Sequence, residues 1–79
     1  MKLVRFKEIS ATYGDRRSRV TNWRKVQQGK YPKPIKVGPF NYWTDEILDT
    51  YYAALASGHS EEDATQITER SRRDLQEVA

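Results

Sequence analysis

The 79-residue chain has no cysteine, a single histidine and no long apolar run. Without thiols there can be no disulfide framework and no thiolate metal site. His59 alone builds no metal centre unless carboxylates or a second chain complete it. No nucleophile–base pair or metal-ligand set is in view, so neither enzymatic activity nor a cofactor is expected. No segment approaches the length of a membrane span, and the N-terminus lacks the apolar core of a signal peptide. The expectation is a cytoplasmic protein that engages neither a membrane nor a small-molecule substrate.

Acidic side chains are scarce in one half only. Residues 1–43 carry eleven Lys or Arg against Glu8 and Asp15, a local balance of +9 within a net charge of +3. Residues 44–57 hold Asp45, Glu46 and Asp49 with no base, and residues 58–79 hold six acids against three Arg. Such asymmetry suits a nucleic-acid binder, because cations that neutralise phosphates release condensed counterions. A solvated basic face is the plainer alternative.

Apolar periodicity organises the rest. Lys2-Leu3-Val4 can pair as an edge strand or pack on the first helix. Phe6, Ile9 and Tyr13 recur at helical steps over 5–13, and Gly14-Asp15 interrupts them, Gly accepting a positive φ and Asp offering a cap. Over 16–28, Val20, Trp23 and Val26 share one arc of a helix and are expected in the core. Arg17, Ser18, Thr21, Asn22 and Lys25 fall on the opposite arc. Gly29 stops that helix, and Pro32 and Pro34 keep it from resuming. Residues 35–37 and 40–43 alternate around Gly38-Pro39 as a hairpin. Thr44 caps a helix that ends at Gly58, with Ile47, Leu48, Tyr51, Tyr52 and Leu55 forming a stripe over the first two helices. Tyr51 and Tyr52 are therefore packing residues. Ser60 and Asp63 suggest a last helix over about 61–77, whose apolar side chains are only Ala64, Ile67, Leu75 and Val78. So polar a helix is either half disordered or seated on a narrow seam.

A small residue before a turn glycine, followed by apolar residues locking a second helix, is the grammar of a helix-turn-helix. Ser10, Gly14, Val20 and Trp23 fill those positions. The outward arc has the chemistry to read bases, since Arg suits guanine and Asn suits adenine. Arg17, Ser18, Thr21, Asn22 and Lys25 are the base-facing candidates, with Arg16 and Arg24 as flanking phosphate contacts.

The run GDRRSRVTNWRKVQQGKYPKPIKVGPFNYWTDEI resembles the helix-turn-helix of AlpA-like phage regulators and excisionases (recombination directionality factors), a MerR-like winged class. Gly14, Arg17, Val20, Trp23, Arg24, Gly29, Tyr31, Pro32-Lys33-Pro34 and Trp43 stand at matching positions over roughly residues 3–56. Asp15 and Arg16 depart from the family's apolar residue and Ser. The resemblance implies a mainly α fold with a small β-hairpin, a winged helix-turn-helix over 1–58, and a C-terminal helical extension over 59–79. It implies a wing bearing Lys36 and Asn41, with Lys33 at its base, close to the sugar-phosphate backbone. It further implies a sequence-specific binder of double-stranded DNA from a phage or mobile element, working in the cytoplasm or nucleoid of a bacterial host. There it would direct excision or regulate transcription, with an integrase or neighbouring copies bound cooperatively on DNA as partners. Two alternatives are an adaptor that recruits an integrase or another partner, and the DNA-binding part of a phage packaging subunit.

Overall fold

A computed structural model describes residues 2–78, with side chains described from 2 to 72. The elements run β1 (Leu3–Arg5), α1 (Phe6–Tyr13), α2 (Arg19–Gln27), β2 (Ile35–Val37), β3 (Phe40–Thr44), α3 (Asp45–Ala56) and α4 (Glu61–Val78). The fold is a small mixed α/β arrangement of four helices and a three-stranded antiparallel sheet, ordered β1-β3-β2. Among the described residues no helix is long and apolar enough to cross a membrane.

The hairpin lies where the alternation places it, with Ile35 opposite Tyr42 and Val37 opposite Phe40. Of the two options for the N-terminus, the edge strand prevails: Val4 pairs with Trp43 across β1 and β3. Both side chains are buried, so the strand contributes apolar area as well as ladder bonds. Lys2 accepts from the Asp45 backbone N–H at 2.9 Å, which fastens the strand to the start of α3.

The helix ends follow local chemistry. Gly14 takes φ +74° and donates to the Ser10 carbonyl, a left-handed cap open to a residue without Cβ. Gly29, at φ +76°, ends α2, and Lys30 donates back to the Lys25 carbonyl at 2.8 Å. Thr44 caps α3 through its Oγ1, which accepts from Ile47 N at 3.1 Å. Ser60 accepts from Asp63 N at 3.2 Å before α4.

The core is aromatic and continuous. Val4, Ile9, Val26, Tyr31, Trp43, Leu48, Tyr51 and Ala64 belong to one buried cluster, with Tyr52, Leu55 and Ile67 packed against it. Tyr31 is wholly buried, edge-on to Trp43 at 5.7 Å and to Tyr51 at 4.8 Å. The narrow seam is the outcome for α4: Ala64, Thr65 and Thr68 are buried, and Thr68 returns its hydroxyl to the Ala64 carbonyl. Small side chains let α4 approach closely where large ones would hold it off. Within residues 59–72, Ala64 belongs to the buried cluster and Ile67 packs against it. The side chains of Leu75 and Val78 lie outside the described residues.

Candidate nucleic-acid interface

The second helix begins at Arg19, three residues later than the spacing suggests. Ser18 is its N-cap, its Oγ accepting from Thr21 N at 3.1 Å. Asp15 is drawn elsewhere: its Oδ1 accepts from Arg17 N, and its carboxylate binds the Arg17 guanidinium at 2.8 Å and the Tyr52 hydroxyl at 2.9 Å. Arg16 and Arg17 therefore lie in the turn. Ser10, the expected crossing residue, is exposed.

The inward face of α2 is also rotated from its expected position. Asn22 is 3% exposed and Val26 is buried, whereas Val20 is 62% and Trp23 48% exposed. The reason is the step of three: at 100° per residue, Val20, Trp23 and Val26 spread over about 120°. Only the Val26 end of that arc meets the core, and Asn22, one turn before Val26, completes the contact. The Asn22 Nδ2 finds no hydrogen-bond acceptor.

Three of the five base-facing candidates consequently leave the outward arc. Asn22 is inside. Arg17 is clamped between Asp15 and Glu61, with its guanidinium 5.3 Å from the Tyr31 ring centre. Lys25 donates to both Glu61 oxygens, at 2.5 and 2.7 Å. Ser18 and Thr21 stay exposed, but the Ser18 hydroxyl is shared between its cap and Thr21 Oγ1. Burial alone would raise Asp15 and Glu61. Hydrogen bonds and charge from Arg17 and Tyr52 in one case, and from Lys25 and Arg17 in the other, hold both below the ordinary carboxylate range. Burial pushes the Tyr31 hydroxyl up to about 12, so it remains a neutral phenol facing Tyr52.

The face that replaces the expected one is Val20, Arg24 and Gln27 along its middle, with Arg19, Thr21 and Trp23 at its edges, all exposed, and Arg16 exposed in the turn before it. Arg24 moves from a flanking position to the middle. Beside this face lies the hairpin, where Lys36 and Asn41 are exposed, as is Lys33 ahead of it. A cleft of about 180 Å³ separates helix from hairpin, lined by Arg5, Lys7, Arg19, Trp23, Phe40 and Asn41 among others. Arg5 sits 4.8 Å from the Phe40 ring centre and Arg19 5.5 Å from that of Phe6. Both acids of residues 1–43 are engaged elsewhere, Glu8 by the Arg5 backbone N–H and Asp15 by Arg17. The helix, cleft and hairpin thus form a cationic surface with aromatic side chains set into it.

The segment joining helix to hairpin is pinned from behind. Trp43 Nε1 donates to the Pro32 carbonyl and the Tyr51 hydroxyl to the Lys30 carbonyl, each at 2.8 Å. From α4, Arg72 donates to the Lys33 carbonyl at 2.8 Å, and Glu69 accepts from Lys33 N at 3.3 Å.

The sequence reading missed Arg19, Val20, Trp23 and Gln27 as outward residues. One signal was present: Ser18 three residues before Thr21 is an N-cap pattern that sets the helix start. Arg17 is withdrawn first by its near neighbour Asp15, but the Glu61 carboxylate that holds Lys25 and also reaches Arg17 comes from far along the chain and leaves no local trace.

Among known proteins, no family model matches the chain, and neither a curated protein nor a solved structure does so.

Proposed function

We propose that the protein is a sequence-specific DNA-binding protein built as a winged helix-turn-helix, with α2 entering the major groove and the β2–β3 hairpin lying on the backbone. The observation that carries this reading is the exposed face of α2, where Arg19 and Arg24 accompany Val20 and Gln27, with Arg16 exposed in the turn just before the helix. An exposed helix face of that charge, next to a hairpin carrying Lys36, offers cations to phosphates and side chains to base edges. The resemblance to AlpA-like regulators and excisionases narrows the role to directing excision or regulating transcription for a phage or mobile element. No chemistry is assigned to the protein in either role. A module of this size buries only about 600–1,000 Å² on DNA, which favours cooperative binding beside further copies or an integrase.

The test is equilibrium binding to random and flanking-DNA duplexes by fluorescence anisotropy across a salt series, followed by footprinting. The log–log dependence should fall with a slope of about −0.9 per phosphate neutralised. A protected, repeated site is expected on DNA flanking its own gene. No measurable binding at low salt, or a flat salt response, would refute the reading.

A further inference from the structure

We infer that Val20, supported by Trp23, is an apolar reader of thymine 5-methyl groups, so that the preferred site carries thymine opposite the first turn of α2. This rests on the DNA-binding reading above and specifies what that face would select.

Among the described residues, Val20 is the most exposed of the large apolar side chains, at 62%. It stands in the first turn of α2, on the same side of the helix as Arg24 and Gln27, which follow one and two turns on. Trp23 lies one turn on, half exposed, and lines both the cleft toward Phe40 and a second hollow toward Lys36 and Asn41. Nothing in the core needs Val20, and an exposed valine in a helix is a poor choice for helix propensity alone.

The surroundings decide what can cover it. Arg19 and Arg24 are exposed on the same helix and Arg16 in the turn before it, so a second copy approaching through the same face would oppose like charges around a small apolar contact. A polyanion is attracted instead. On the major-groove edges of duplex DNA the bases present donors, acceptors and one apolar group, the thymine methyl. Valine set against a donor or acceptor would strip water from it and return no hydrogen bond, which is costly. Set against a methyl, it buries apolar surface on both sides. Arg24 and Gln27, with bidentate capacity for guanine and adenine, would stand to one side of that thymine.

The experiment begins with selection of duplexes from a random pool by the full chain. Thymines of the enriched duplex are then replaced one at a time by deoxyuracil, which keeps every hydrogen bond and removes only the methyl. One or two positions should each weaken binding by about fourfold, the value of a buried methyl group. In Val20→Ala that sensitivity should shrink towards none, while Val20→Thr, which keeps a methyl of similar shape, should retain part of it. Because Val20 is exposed, both variants should fold, which circular dichroism checks. A specific site indifferent to uracil at every position would overturn the inference and leave the DNA-binding reading standing. Equal sensitivity in Val20→Ala and the parent would also overturn it. Failure to enrich any duplex would instead sink the reading beneath it. A dimer formed without DNA and dissolved by Val20→Asp would reassign the face to a second copy.

Discussion

Arg17 and Glu61, 44 residues apart in sequence, meet at 3.4 Å across the gap between the α1–α2 turn and the first residue of α4. Glu61 also holds Lys25, and Arg17 also holds Asp15, which in turn accepts from Tyr52. Four elements of the fold are thereby tied at one charged cluster of limited exposure.

Removing Glu61 should loosen that tie. Glu61→Ala is expected to lower stability by about 1 kcal/mol, the modest value reflecting a carboxylate still one-third exposed to screening solvent. Urea unfolding should show a lower midpoint with an unchanged slope. An unaltered midpoint would mean that α4 is held by Ala64 and Thr68 alone.

The same cluster sets an acid limit. Asp15 and Glu61 titrate below their ordinary values in the folded protein. Their contribution is therefore complete above the ordinary carboxylate range and disappears as pH falls through the lowered folded values. The urea midpoint should hold steady from pH 7 to the ordinary carboxylate range and then drop. Asp15→Asn should be less stable at neutral pH and show a shallower acid slope than the parent. A variant as steep as the parent would place the acid sensitivity elsewhere.

Arginines on either side of α2 should separate stability from binding. Arg24→Ala, on the exposed face, should leave the thermal midpoint near that of the parent while weakening a specific duplex by ~1–3 kcal/mol. Arg17→Ala should do the reverse, lowering the midpoint because Asp15 loses its closest cation. If Arg17→Ala proved the better folded and the worse binder, the rotation of the helix face described above would be wrong in solution.

Trp43→Phe should cost about 1–3 kcal/mol beyond any change in packing, because the buried Pro32 carbonyl loses its Nε1 donor. Calorimetry on the variant and parent checks this. A cost no larger than that of a well-fitted aromatic exchange would show that water replaces the donor.

Elements were far more legible in the sequence than faces. Alternation around Gly38-Pro39 located the hairpin, and Thr44 with Asp45 and Glu46 located the start of α3, because these signals are local and strong. Val20, Trp23 and Val26 misled because a three-residue step drifts around the helix, and only tertiary contact decides which end of the drift is buried. Asn22 inside and Trp23 outside invert the usual preference of those residue types. The pairing of Arg17 and Lys25 with Glu61 depends on how α4 returns across α2, which no short-range pattern encodes.

Tyr31 and its neighbours have one more consequence. With the Lys30 and Pro32 carbonyls both held from behind, the strap between α2 and the hairpin must give up these two hydrogen bonds before it can hinge. The two arms are set like the jaws of a fixed gauge rather than a clamp. A duplex bound as proposed would meet arms already spaced, and bending the strap to suit it would cost those two hydrogen bonds.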